Sequence, residues 1–305
     1  MPPILRALRP SQWIKNLIVL AAYFFARWDP SQHAHVAGRS AVLRVVAAAG
    51  LFCVISSAIY LINDVRDVAA DRAHPVKKRR PIAAGQIGLG AAWAVAFLLL
   101  LIGLAGAWML SASFSLLACG YVALQFAYTF GLKRVALLDV FMIAIGFVLR
   151  AIAGALVIDV RISPWLLLCT FLLALFLGLC KRRHEKRLLA DSSAQQHREA
   201  LAGYGEGLLD LLIGIAAAAA VVTYAIYTLS SETIARFGTS GLGLTIPFVV
   251  FGVFRYLDLV YRSEQGGQPE KVLLTDRVLM ITVLLYALVA LAVLLTAHQP
   301  VVWGN

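Results

Sequence analysis

Ile62-Asn63-Asp64-Val65-Arg66-Asp67-Val68-Ala69-Ala70-Asp71-Arg72 follows directly on the apolar run from Ala41 to Asn63, and its reading decides what kind of fold surrounds it. If the apolar helix continues through it, Asp64, Asp67 and Asp71 succeed one another at i+3 and i+4 and share one helix face. Asn63, at i−4 from Asp67, adds a neutral oxygen to that face. Three crowded carboxylates repel one another, and a hard divalent cation, typically Mg²⁺ bridging a substrate's phosphates, relieves that repulsion. The plainer alternative is that the aspartates cap and solubilise a helix end, paired with Arg66 and Arg72. The surroundings favour the metal: the cluster stands at the mouth of an apolar helix, and the cations Lys77-Lys78-Arg79-Arg80 follow it.

Outward from this stretch, a chain of 305 residues that is 61% hydrophobic and 14% charged is no ordinary soluble domain. It reads as an all-α polytopic membrane protein. Nine apolar stretches are candidate transmembrane helices: Ile14 to Trp28, Ala41 to Asn63, Ile87 to Met109, Phe114 to Phe130, Val135 to Val157, Pro164 to Cys180, Leu208 to Leu229, Leu242 to Leu259 and Val278 to Ala297. The first is short and reads as an uncleaved helix that extends through Trp13.

A net charge of +11 suggests nucleic acid until the cations are placed. With the N-terminus cytosolic, Lys and Arg crowd the inner connections, and the outer side keeps only Arg27, Arg39, Arg44, Arg161 and Arg236. That asymmetry orients a membrane protein, so no nucleic-acid partner is expected. The inner connections, at about 64–86, 131–136, 181–207 and 256–277, are also acidic, which makes them a working surface. None is long enough to fold separately, so residues 1–305 are expected to form one domain.

Pro81 and Gly85 mark a helix stop and a turn, and the sixth span runs on as a helix into Lys181-Arg182-Arg183-His184-Glu185. Cys53, Cys119, Cys169 and Cys180 lack metal-like spacing and read as packing residues. The His33-x-His35 pair has no third ligand nearby, so it makes no metal site.

The pattern Asn63-Asp64-x-x-Asp67-x-x-x-Asp71, followed by Arg80-Pro81-Ile82-x-x-Gly85 and, at the end of the fourth span, Tyr128-x-x-x-Leu132-Lys133, resembles the UbiA-type intramembrane prenyltransferase superfamily. The likeness covers essentially the whole chain and implies eight or nine helices around a central cavity, open sideways to lipid and capped by cytosolic loops. Four further segments resemble the branch that joins phosphoribosyl diphosphate to a polyprenyl phosphate of the decaprenyl type: Arg9-Pro10-Ser11-Gln12-Trp13-Ile14-Lys15-Asn16, Phe147 to Gly154, Lys181-Arg182-Arg183-x-Glu185, and Gln268 to Arg277. One departure fits that branch. Prenyl-diphosphate users usually carry a second Asp-rich motif after the sixth helix, where this chain has Lys181, Arg182, Arg183 and Glu185; added cations suit two phosphorylated substrates.

The resemblance implies a transferase of the inner (plasma) membrane with a cytosolic active site, Mg²⁺ as cofactor, and a polyprenyl-phosphoryl-5-phosphoribose product that feeds the synthesis of the cell envelope's arabinose donor. Asp64, Asp67 and Asp71, with Asn63, are expected to hold the metal on the donor diphosphate. Lys77, Lys78, Arg79 and Arg80 are expected to clamp donor phosphates, and Lys133, Lys181 and Arg182 suit either substrate. Glu185, Asp276 and Arg277 join the site by resemblance alone. Lys15 and Asn16 are expected at the acceptor phosphate, and Tyr60 and Tyr128 as cavity lining. For Arg150, within a span, three readings stand open: substrate phosphate, snorkelling outward, or pairing with Asp159. Asp139 shares its face but lies about 16 Å away on an ideal helix, too far for a bond. The expected partners are phosphoribosyl diphosphate, polyprenyl phosphate and the bilayer, with a homo-oligomer allowed. The rivals are a prenyltransferase acting on an aromatic or other acceptor and, from another class, an anion transporter.

Overall fold

The computed structural model describes residues 2–190, 203–205, 207–262, 267 and 269–297. Parts of the expected cap loops at 181–207 and 256–277 therefore lie outside the described residues. Eight of the described helices are long and apolar enough to cross a membrane. In chain order they are α1 (Arg39–Arg66), α2 (Leu89–Leu110), α3 (Ala112–Phe130), α4 (Leu138–Val157), α5 (Pro164–Ala190), α6 (Leu208–Leu229), α7 (Ile246–Arg262, its span lengthened to Gly241–Arg262 by the preceding 3-10 turn) and α8 (Arg277–Ala297). A helix satisfies all of its interior backbone hydrogen bonds within itself, which is what a long segment needs where no water is available. The expected helical extension of the sixth stretch is α5, which carries Arg182 and Glu185 on its final turns.

The ninth expected crossing, Ile14 to Trp28, takes another form. Pro10–Leu20 is a 3-10 run of 11 residues, continued by an α-helix of 7 residues, Ala21–Arg27. A 3-10 run of that length is uncommon. At about 2.0 Å per 3-10 residue and 1.5 Å per α residue, the segment is roughly 30 Å long, somewhat longer than the same residues would be as an α-helix. Lateral contacts hold it there. Trp13 donates to Ser57 Oγ (3.0 Å), Asn16 donates to Ser56 Oγ (3.2 Å), and Ser57 Oγ donates to the Leu8 carbonyl (3.0 Å). A Cβ on Gly154 would stand 1.9 Å from the Val19 carbonyl oxygen, so only glycine lets α4 approach this backbone.

α1 and α4 form the centre of the bundle, with 56% and 50% of their most apolar stretches buried against 17% for α2. One apolar cluster, including Val45, Phe52, Phe114, Tyr121 and Ala153, joins the leading segment to α1, α3 and α4. A second, including Val140, Phe176, Ile213, Tyr256 and Leu279, joins the start of α4 to α5 through α8. The polar ends of α1, α3, α5 and α7 and the starts of α2, α4, α6 and α8 gather at one end of the bundle. That charged end carries the quoted aspartates.

Candidate active site at the charged end of the bundle

α1 ends at Arg66, Asp67 caps it, and a short helix restarts at Val68–Ala73. The chain nevertheless keeps winding: Asp67 N donates to the Asn63 carbonyl (2.9 Å) and Asp71 N to the Asp67 carbonyl (2.8 Å). Asp64 and Asp71 therefore fall on one side, as the spacing predicts, and both are buried. Arg80 bridges them. Its Nη1 lies 3.0 Å from Asp64 Oδ1 and 2.6 Å from Asp71 Oδ2. Arg9 pairs with the same Asp64 oxygen, and its guanidinium stacks on Tyr60, 4.8 Å from the ring centre. Asp67 is turned to another cation: Lys133 Nζ lies 2.6 and 2.7 Å from its two oxygens and 3.4 Å from Asn63 Oδ1. Arg66 and Arg72 do not pair with the aspartates; Arg66 stacks on Phe130 and Arg72 donates to the Ala83 carbonyl (3.1 Å).

The expected three-carboxylate ligand set is thus divided, and no group of three acidic, His or Cys side chains among the described residues is placed to hold a metal. The donor chemistry still fits a hard cation, because Arg80 already places positive charge between two buried carboxylates. Mg²⁺ usually takes one or two carboxylates and completes its shell with substrate phosphates and water, so two such oxygens suffice.

A second cluster forms where the end of α5 meets the start of α4. Arg182 is only 1% exposed. Its Nε lies 2.5 Å from Asp139 Oδ2, one terminal nitrogen pairs with Glu185, and the other donates to the Tyr128 hydroxyl at 3.3 Å. Tyr204 donates to Asp139 Oδ1 (2.8 Å). Lys77 and Lys181 are half-buried at this end, whereas Lys78, Arg79 and Arg277 are exposed. Asp276 belongs to a third group, paired with Arg255 Nη2 (2.7 Å) and capping α8 through Leu279 N (2.8 Å). Arg255's hydrogen bonds hold the Asp276 carboxyl below the ordinary carboxylate range.

Of its three expected readings, Arg150 does not snorkel outward, and its hydrogen bonds go to partners other than Asp159. It is buried, donating to Asn16 Oδ1 (2.8 Å), the Gly146 carbonyl (3.0 Å) and the Tyr121 hydroxyl (2.6 Å), and stacking on Tyr121 and Phe147. Asn16, also buried, spends its amide nitrogen on Ser56 and Cys53. As expected, Arg150 makes no bond to Asp139, which Arg182 and Tyr204 occupy.

The UbiA prenyltransferase family model matches residues 17–274. The chain belongs to that family. It is 39% identical over 288 residues to the decaprenyl-phosphate phosphoribosyltransferase of Mycolicibacterium smegmatis, covering 91% of this chain and 88% of the relative. It is 35% identical over 303 residues to the protein of that name from Mycobacterium tuberculosis, covering 99% and 95%. Its fold is similar to that of a UbiA homologue from Archaeoglobus fulgidus solved with GPP and Mg²⁺, at a TM-score of 0.70, 20% identity, and coverage of 96% of this chain and 99% of that one. Family and helices together make it an integral membrane protein.

Within this UbiA fold, several residues at the charged end and beneath it escaped the sequence reading. Arg9 stood there only as the first residue of a resembling segment, Asp139 was weighed only against Arg150, and Tyr121 was not singled out. A signal was present for Asp139, since a carboxylate within a span calls for a cation. His74 also belongs here: its Nδ1 accepts from Val76 N (3.1 Å) and Lys77 N (3.3 Å), which leaves the ring proton on Nε2. Burial and then the Lys77 charge lower its pKa, with Asp71 and Glu185 opposing.

Proposed function

We propose that this protein transfers the 5-phosphoribosyl group of phosphoribosyl diphosphate to a decaprenyl-type polyprenyl phosphate, releasing diphosphate. The reaction takes place at the cytosolic face of the inner membrane, in a single domain spanning residues 1–305 whose N-terminus is cytosolic, and the leading segment makes the ninth crossing. The observation that carries this reading is the cation-rich surround of the aspartates: Arg9, Arg80 and Lys133 on the motif itself, and buried Arg182 where a second Asp motif would serve a prenyl diphosphate. The named activity of relatives 35–39% identical along almost the whole chain supports the same choice.

Asp64 and Asp71, with Asn63 and Asp67 beside them, would hold Mg²⁺, whose chemistry there is to neutralise the leaving diphosphate. Lys77, Lys78, Arg79, Arg80 and Lys133 orient the donor phosphates. Arg182 fixes the end of α5 and presents Glu185 and Tyr128, while Lys181, Asp276 and Arg277 border the site. An oxygen of the lipid phosphate attacks the anomeric carbon as the bond to diphosphate breaks on the opposite face, inverting the ribose. The attacking phosphate is already an anion, so no strong base is required. Lys15 receives the acceptor phosphate, and Asn16 and Arg150 brace the segment that carries it. Tyr60 packs against Arg9 at the cavity wall.

Purified protein in lipid nanodiscs, given labelled phosphoribosyl diphosphate and decaprenyl phosphate, is expected to form a lipid-linked ribose phosphate with Mg²⁺ and none with a chelator. Turnover of a prenyl diphosphate with an aromatic acceptor, without any ribosyl transfer, would refute the assignment in favour of its rival.

A further inference from the structure

We propose that Arg9 and Arg80 are exchangeable counter-ions of Asp64, which they cede to a divalent cation only when a diphosphate arrives to receive them, so that metal and anion bind as a pair. The inference rests on the diphosphate reading of this site and adds to it a role for Arg9 and a rule for the order of binding.

Four observations carry it. Arg9, Asp64, Arg80 and Asp71 form a closed set of two cations and two anions, so the cluster is neutral without any ligand. Both guanidiniums converge on the same oxygen, Asp64 Oδ1, while only Arg80 reaches Asp71. Two donors on one oxygen exceed what a single ion pair requires. The arginine side chains keep 24% and 28% of their surface open while Asp64 keeps 2%, so the cations can turn and the carboxylate cannot. Finally, Arg9 sits at φ 54, ψ 60, a left-handed conformation that non-glycine residues seldom adopt. Its backbone is fixed there by Arg9 N to the Arg6 carbonyl (3.2 Å) and Gln12 N to the Arg9 carbonyl (2.8 Å). The ring of Tyr60 gives the guanidinium a flat surface on which to slide from carboxylate to phosphate.

The charge balance follows. A divalent cation arriving alone must expel two guanidiniums into a half-buried space with no anion to meet them, which opposes binding. A diphosphate arriving with it supplies oxygens for both, in the bidentate geometry that guanidinium favours. Arg9 thus competes with metal in the empty site and becomes a phosphate ligand in the filled one.

The test uses the full-length protein in nanodiscs, with Mn²⁺ binding read by electron paramagnetic resonance and ³²P-pyrophosphate binding read by equilibrium dialysis. Wild type is expected to bind Mn²⁺ weakly alone and pyrophosphate only with Mg²⁺. Arg9→Gln is expected to tighten Mn²⁺ binding about tenfold in the absence of anion and to weaken Mg²⁺-dependent pyrophosphate binding about tenfold, with Arg9→Lys partly restoring the latter. A merely structural arginine would not improve metal affinity on removal. Unchanged or weaker Mn²⁺ binding in a folded Arg9→Gln protein overturns the proposal. If that variant does not fold, wild type decides: Mn²⁺ held as tightly alone as with pyrophosphate overturns it as well. Ribosyl transfer that persists in either case leaves the function intact and removes only the exchange.

Discussion

The two ends of the bundle use the same residue types in opposite ways. At the end away from the aspartates, Asp29 is buried and held by Arg236 Nε (2.6 Å), Gln32 Nε2 (2.6 Å) and the Ser31 hydroxyl (2.7 Å). Arg236 also donates to the Arg161 carbonyl (3.3 Å). One carboxylate, bonded by several short-range donors, ties the leading segment to the connections after α4 and α6. At the charged end, by contrast, two cations share one carboxylate oxygen and a third cation spans Asp67 and Asn63. A carboxylate saturated by fixed donors makes a clamp, whereas one whose cations have other places to go makes a site.

Breaking the site should cost most. Asp64→Asn is expected to lower kcat by on the order of 10²–10³-fold, the scale of losing a preorganised electrostatic contact, while the protein still inserts and purifies as wild type. Retention of more than a tenth of the activity would show that Asp64 serves packing only. Asp139→Asn tests a different point, because Arg182 is fully buried: about 2 kcal/mol of stability should be lost, read as a fall in Tm, since a charged hydrogen bond is removed and Glu185 is left as the guanidinium's remaining anion. Gly154→Ala probes the leading segment, whose backbone must move away from the new Cβ, and about 1–3 kcal/mol should follow with a lower Tm.

The clamp should give the smallest effect. Asp29→Asn should cost about 1 kcal/mol, because Arg236 is partly exposed, and should leave ribosyl transfer unchanged. Burial alone would raise the Asp29 pKa; hydrogen bonds from Ser31 and Gln32 and the Arg236 charge outweigh it, and the net pKa is lowered. With the folded pKa below the unfolded one, the stabilisation is complete above about pH 4 and is lost as the pH falls through the folded value. Tm measured down to pH 3 should therefore fall more steeply in wild type than in Asp29→Asn; parallel slopes would show that the clamp carries no charge.

Much of the site was legible because its grammar is local. Asp64 and Asp71 meet as their spacing requires, and Gly85 turns at φ 74 where Pro81 and Gly85 mark a stop. Asp67 pairs instead with Lys133, on the connection after α3, a partner that no local spacing records. The partners of Arg150 were not legible because they lie outside its own helix: Asn16 is 134 positions away and Tyr121 is 29. A buried arginine at membrane depth can be satisfied by neutral oxygens and aromatic faces, and no carboxylate search finds those. The leading segment looked like an ordinary short helix because nothing in its own residues records the lateral bonds that overwind it.

By itself the sequence determined which segments are helices, which ends of them are charged, and that three aspartates and a run of cations stand together at one of those ends. These follow from hydropathy and from periodicity over a few residues, which act along a single helix. Only the tertiary structure decided that Arg9 and Arg80 share Asp64, that Arg182 belongs to Asp139, and that Arg150 braces Asn16. The physical reason is that an ion pair forms between whichever helices the packing of small residues such as Gly154 makes neighbours, and that choice is made across the bundle.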